Sequence, residues 1–199
     1  MPTSASYPKL FGSTEALTLA LEIRDHYTRF HCDRLVRLAT ELGCACNIVD
    51  SDLDTLRIAS RFHDIGKIGI PDAVLTKPGP LNDEDWVVMK THSELGEKVF
   101  RATGIPDHEL IAQTIRHHHE AFDGSGYPDG LEGEDIPILS RILLIADAYD
   151  AMGNTRPYHK ARKHREIMSI LDDEAGGRID PYVLNKFEKL IESSPSRID

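Results

Sequence analysis

At 199 residues the chain has the length of one domain, able to bury roughly 70% of the surface its unfolded form exposes. Its 40% hydrophobic and 28% charged residues are those of an ordinary globular protein, which excludes a coiled coil, a repeat array or a disordered tail. A net charge of −10 excludes a duplex nucleic-acid binder, which needs a broad basic face, but allows a small anionic ligand held by metals or a few placed cations. In chain order, residues 1–13 read as a short N-terminal extension and 14–199 as a single domain. The N-terminus lacks an apolar stretch of signal-peptide length. Apolar positions Leu17, Leu19, Ala20 and Leu21, then Leu35, Val36, Leu38 and Leu42, keep helical period as far as Gly43. Ser51 followed by Asp54 resembles a capping box for a helix ending near His63. Asn82, with Asp83, Glu84 and Asp85 behind it, predicts a capped, dipole-matched helix running to about Thr103 and Gly104. A fourth helix fits Asp107 to about His118, and Pro137 suits the first turn of a fifth that runs through Met152. A sixth covers His164 to Ala175, stopped by Gly176 and Gly177, and the last opens at Asp180 with Pro181 at its first position.

No window alternates β-branched residues in the manner of a strand, so the predicted fold is all-α, a compact multi-helix domain. Two glycine-rich loops, 66–80 and 123–135, interrupt it, and loops of that kind tend to carry function. The longest apolar run, ILLIA at 142–146, is far short of the ~20 residues that span a bilayer, so no membrane partner is expected. Cys32, Cys44 and Cys46 have no framework spacing; they read as reduced helix residues and, with the missing signal peptide, predict a cytoplasmic protein.

The stretch RFHDIGKIGIPD, 61–72, poses the functional question. Burying His63 beside Asp64 is costly unless both are hydrogen-bonded or hold a metal. Other candidate ligands lie on separate predicted helices: His92 in MKTHSELG, the run His117, His118 and His119, and Asp147 within the apolar RILLIADAYDAM. Each also has an ordinary reading. His92 suits a surface, the histidine run suits the negative end of a helix dipole, and Asp147 suits an internal partner such as Arg141. Together, neutral nitrogens and carboxylates from facing helices suit a dinuclear site inside a bundle. Neighbouring helical residues point about 100° apart, so His63 and Asp64 converge only at a helix end, where this pair falls.

With HDIGKIGIPDAVLTKPGPL, MKTH, HHEAFDGSGYPDGLEGEDIP, RILLIADAYDAM and RPY in that order, the chain resembles the HD superfamily of metal-dependent phosphohydrolases. Within it the match is to the HD-GYP subgroup, the bacterial cyclic di-GMP phosphodiesterases, most closely over 62–187. The resemblance implies an all-α fold holding two or three metals, iron or manganese, on His63, Asp64, His92, His118, His119 and Asp147. His117 falls outside that pattern, as a structural or solvent-facing residue. Lys67 matches a lysine that meets the substrate phosphate, and the glycines at 66 and 69 are expected to let the backbone turn sharply and bring it close. Arg156 matches a substrate-binding arginine, and Gly126-Tyr127-Pro128 the signature tripeptide, with Tyr127 facing a guanine or a partner. Asp150, one turn beyond Asp147, is either an ordinary surface acid or, under the resemblance, a further substrate contact.

Three departures qualify the match. Members with a third metal carry a Glu four residues before a first-helix His; here His31 is preceded at that distance by Tyr27, so two metals are expected, with His31 a weak ligand or a supporting group. His159 stands where a Lys or Arg is usual, and Gly153-Asn154 alters the loop before Arg156. The expected reaction is hydrolysis of cyclic di-GMP to linear pGpG, and onward to GMP, by a hydroxide generated between the metals. Asp64 would bridge them, and Lys67 would stabilise the phosphate or protonate the leaving oxygen. Two alternatives stay open: phosphohydrolysis of another nucleotide, and a non-hydrolytic cyclic di-GMP sensor or interaction module that docks a diguanylate cyclase through the Gly-Tyr-Pro loop. No sensory domain precedes the first predicted helix, so regulation is expected from expression, a partner or the metal state, unless the chain is a fragment.

Overall fold

The computed structural model describes residues 17, 19–21, 23, 28–104, 108–154 and 160–199. Among these the helices are α1 (Thr28–Ala45), α2 (Asp50–Phe62), α3 (Asp72–Leu75), α4 (Asp83–Lys90), α5 (His92–Ala102), α6 (His108–Arg116), α7 (Ile138–Gly153), α8 (His164–Asp173) and α9 (Pro181–Ile191). Short 3₁₀ turns lie at Ile65–Gly69 and Gly133–Asp135. No strand forms among the described residues, only isolated bridges between Asp123 and Glu132 and between Ala175 and Ile179, so the fold is all-α. No described helix is long and apolar enough to cross a membrane.

Helix α7 runs through the core, which explains why its sequence is apolar on every side. Leu139, Ile142, Leu143, Leu144, Ile145, Ala146 and Tyr149 are all buried. They join one cluster with Leu35, Leu38 and Leu42 of α1, Leu56 and Phe62 of α2, Ile111 and Ile115 of α6, and Phe187 of α9. Arg141, offered above as an internal partner for Asp147, instead pairs at 2.7 Å with Asp180, which also caps α9 by accepting from the Tyr182 N–H at 2.7 Å. One carboxylate thereby fixes the start of α9 and ties it to α7.

Several predicted boundaries shift for local reasons. The Ser51–Asp54 box does not form: α2 starts after Val49 without a side-chain cap, and the Ser51 hydroxyl turns to Asp52. The Asn82 box does form, with Asn82 accepting from the Asp85 N–H at 2.8 Å and Asp85 from the Asn82 N–H at 3.0 Å. The helix it opens was expected to be continuous to Thr103 but breaks at Thr91 into α4 and α5. Three consecutive side chains there compete for the backbone. Thr91 Oγ1 donates to the Val88 carbonyl at 2.7 Å, His92 Nδ1 to Met89 at 2.8 Å and Ser93 Oγ to Lys90 at 3.2 Å. Pro137 lies just before α7 rather than inside its first turn. Helix α8 stops at Asp173, and Gly176 then adopts a left-handed φ of 78°. The 66–80 loop is largely ordered by its 3₁₀ turn and by α3.

Candidate metal centre

His63 is the C-cap of α2 with φ −53° and ψ −38°, and Asp64, with φ −92° and ψ 3°, has left the helix. The chain bends between them, so adjacent side chains reach one place. Asp64 is central to the arrangement. Its Oδ2 lies 3.3 Å from His63 Nε2 and 2.7 Å from Lys67 Nζ, and its Oδ1 lies 3.6 Å from His92 Nε2. On one side of it, ligand atoms of His31, His63 and Asp147 all lie within 4.8 Å of one another; on the other, those of His92, His118 and His119 do the same.

The rings of His63, His92 and His118 are oriented by one device. In each, Nδ1 donates to the carbonyl three residues back: Ser60 at 2.9 Å, Met89 at 2.8 Å and Ile115 at 2.5 Å. A carbonyl only accepts, so Nδ1 carries the proton and Nε2 presents a lone pair to the centre. His92 Nε2 and His118 Nε2 then face each other at 3.4 Å as two acceptors, with the Asp64 carboxylate beside them. That arrangement is repulsive by itself and fits a cation. The break at Thr91 contributes directly, because at this helix end the Met89 carbonyl accepts from the His92 ring.

Electrostatics agree with a donor set ready for metal. Burial pushes His118 well below its ordinary value and His119 down to about 3, so both are neutral nitrogen donors. His92 is lowered by burial too, against a partial opposing pull from Asp64. Burial alone would raise Asp64, but Lys67 and His63 outweigh it and hold the carboxyl well below its usual range. Asp147 is likewise depressed: burial opposes, while the His31 hydrogen bond and the nearby His63 ring prevail. His31 would be lowered by burial, yet hydrogen bonds to Asp147 and Asp150 lift it to about 9. Its Nε2 lies 3.2 Å from Asp147 Oδ1.

The six expected ligands, His63, Asp64, His92, His118, His119 and Asp147, are thus brought together, and His31, expected as a weak ligand or a supporting group, lies with His63 and Asp147. Asp150 is not the surface acid that one of its two expected readings made it. It is buried, with Oδ2 2.6 Å from His31 Nδ1 and Oδ1 2.7 Å from Arg34 Nε. Both oxygens being taken, its geometry is that of a support for His31. His117 stays outside the cluster, its Nε2 3.3 Å from Asp129. Arg156 and His159, like Tyr27, lie outside the described residues.

Tyr127 packs beside the cluster, its ring 4.9 Å from that of His119 and inclined by 31°. Its loop is held by Glu120, which sequence reasoning missed although it directly follows the histidine run. The buried Glu120 carboxylate accepts from the backbone N–H of Asp129 at 2.8 Å and of Leu131 at 3.1 Å. Arg116 grips Asp129 through two bonds of 2.7 Å. Gly126 is required by close approach: a Cβ there would lie 2.1 Å from the Ala121 nitrogen and 2.5 Å from Glu120 Cα. We expect Gly126→Ala to lift the loop off this backbone at a cost of about 1–3 kcal/mol, read as a lower melting temperature. An unchanged melt would contradict the contact.

Comparison with known proteins places these residues in a broader setting. A family model described as HD domain matches residues 6–183. A protein of Thermotoga maritima named cyclic di-GMP phosphodiesterase is 36% identical over 91% of this chain and 49% of its own length. A Vibrio cholerae protein named 3'3'-cGAMP-specific phosphodiesterase 2 is 35% identical over 84% of this chain and 32% of its own. The chain therefore spans half or less of the length of these relatives. In fold, it is similar to the crystal structure of a cyclic GMP-AMP specific phosphodiesterase of V. cholerae, with a TM-score of 0.70 at 22% identity, over 90% of this chain and 48% of that one.

Proposed function

The chain belongs to the HD-domain family, and from that premise we propose that it is a metal-dependent phosphodiesterase that hydrolyses cyclic di-GMP to linear pGpG, and onward to GMP. The observation that carries this reading is the placement of one carboxylate, Asp64, between two compact groups of inward-facing donors. His31, His63 and Asp147 would hold one divalent cation with Asp64, and His92, His118 and His119 the other. Such a pair supplies Lewis acidity toward the phosphate and makes a nucleophile from water at neutral pH. Histidine and carboxylate donors suit iron or manganese. Only Asp64 and Asp147 bring negative charge to this set, so a loaded centre keeps net positive charge for an anionic diester.

Lys67 sits one turn beyond Asp64 on the 3₁₀ segment and keeps its ammonium against the Asp64 carboxylate. From there it would donate to a phosphate oxygen or to the leaving oxygen. Asp150, with Arg34, fixes the His31 ring by occupying Nδ1, which leaves Nε2 for the centre. We expect Asp150→Asn to weaken metal binding by about 10–100-fold, read by metal titration of the stripped protein. Unchanged affinity would return Asp150 to the substrate. Arg156 completes the proposed phosphate contacts by motif alone, and Tyr127 stands beside His119, where it would meet a guanine.

The deciding experiment is turnover by protein purified without oxygen and loaded with ferrous iron or manganese, with products separated by chromatography. Release of pGpG from cyclic di-GMP supports the reading. A second reading, cleavage of 3'3'-cGAMP, is favoured by the likeness to the Vibrio relative and would show as faster turnover of that substrate. Binding without turnover by the loaded protein would make it a sensor. We retain a docking role for the Gly-Tyr-Pro loop toward a diguanylate cyclase, supported by the exposure of Ser125 and Asp129 and tested by co-purification. A cytoplasmic setting is supported by Cys32, Cys44 and Cys46, all free thiols.

A further inference from the structure

Helix α4 buries none of its side chains. Trp86 is 47% exposed and Val87 70%, although an indole is among the largest apolar surfaces a chain can bury. The helix is nonetheless well fixed, by the Asn82 box at its start and by the bonds from Thr91, His92 and Ser93 at its end. Trp86 and Lys90 are four residues apart and so share one helical face. Lys90 is exposed, and among the described residues no carboxylate lies within ion-pair range of it, in a chain of net charge −10. Its ammonium instead stands 5.3 Å from the centre of the Tyr127 ring. Tyr127 in turn lies against His119 and, at 6.3 Å, His92. Asp83, Trp86, Val87 and Lys90 line an open cavity of about 490 Å³. An exposed indole thus shares a helix face with an ammonium that stands over the Tyr127 ring beside the candidate metal centre.

On the reading above, a cyclic dinucleotide places one phosphodiester at the metal centre. Its other phosphate and an outlying base then need a surface with a cation and a flat π face. We propose that the Trp86–Lys90 face of α4 is an outer substrate subsite, in which a purine base stacks on the Trp86 indole and Lys90 meets the phosphate remote from the metals. The proposal rests on the phosphodiesterase reading and concerns binding, with no part in the bond-breaking step. The face suits this occupant on three counts: Lys90 offers one cation at the end of the helix nearer Tyr127, with Asp83 about two turns away at the other end of the lining, the face adjoins the donor groups through Tyr127, and its ring is flat and solvent-accessible. Base stacking of this kind tolerates either purine, because each presents a π face.

Trp86 is the only tryptophan in the chain, so its fluorescence reports on this face alone. The metal-loaded protein is titrated with a phosphorothioate analogue of cyclic di-GMP that resists hydrolysis, while KM and kcat for cyclic di-GMP are measured for wild type, Trp86→Ala, Trp86→Phe and Lys90→Gln. The expected result is saturable quenching in wild type, weakened in Lys90→Gln. Trp86→Ala and Lys90→Gln should each raise KM by about 5–50-fold with kcat within about twofold, and Trp86→Phe should recover most of the loss. Neither side chain is buried, so the variants should melt as wild type does. Turnover with unchanged KM in every variant and no quenching would overturn the subsite, assign the face to a protein partner, and leave the phosphodiesterase reading intact. Wild type that neither binds the analogue nor cleaves cyclic di-GMP would overturn that reading and the subsite with it.

Discussion

Replacing Asp64 by alanine is expected to remove turnover of cyclic di-GMP by about 10³-fold or more, because several kcal/mol of charge stabilisation depend on the centre it joins. Its two oxygens face different donor groups, Oδ2 toward His63 and Oδ1 toward His92, so its loss affects both groups. Each remaining group still holds three donors, His31, His63 and Asp147 on one side and His92, His118 and His119 on the other. Metal content per chain should therefore fall in part, and the two groups should lose their shared link. Asp64→Asn separates charge from shape: it keeps the side chain's size but lacks the charge that Lys67 and the centre require. Metal analysis and turnover should fall together in both variants. An Asp64→Ala protein that keeps its full metal content and activity would show that the carboxylate is a bystander between two independent groups.

Gly66→Ala should destabilise the fold by about 3 kcal/mol, lowering the melting temperature by about 6–12 °C. A Cβ at Gly66 would lie 1.8 Å from the His92 carbonyl oxygen and 2.4 Å from the Gly96 nitrogen. Both are backbone atoms of α5, so neither yields without shifting the helix that begins with His92. Metal binding should weaken in the same variant. Gly69→Ala is the control: its Cβ would meet Leu95 Cδ1 at 2.9 Å, the mobile tip of a side chain, and a cost within about 1 kcal/mol is expected. Equal melting temperatures for the two variants would refute the backbone contact. The structure thus corrects the expected role of Gly66. Its φ is not left-handed, and what it provides is room for the 3₁₀ turn to lie directly on α5.

Much of the site was legible because its chemistry leaves marks in residue type. A histidine next to an aspartate at the end of an apolar segment, and an aspartate within ILLIADA, are too costly to bury without a purpose. Asn82 with its acidic successors, and Asp180 before Pro181, were readable for the same local reason: a cap acts within three residues of itself. Where the signal was ambiguous, a nearby competitor decided. Ser51 turned to Asp52 instead of capping α2, and the Thr91–Ser93 side chains split a helix whose apolar period gave no warning.

By itself, the sequence determined the helical class, the core stripe of α7 and the set of residues from which a metal centre could be made. All three depend on periodicity or on the desolvation cost of single groups, which are properties of short segments. Only the tertiary structure decided how those residues combine. Asp64 lies between two donor groups, His31 joins His63 and Asp147, and Asp150 is taken by His31 and Arg34 across more than a hundred residues of chain. Lys90 over Tyr127 and the Gly66 contact with α5 belong to the same class. The physical reason is that coordination and close approach are set by distances of 2–4 Å between segments remote in sequence, and a carboxylate's role depends on which cation reaches it first.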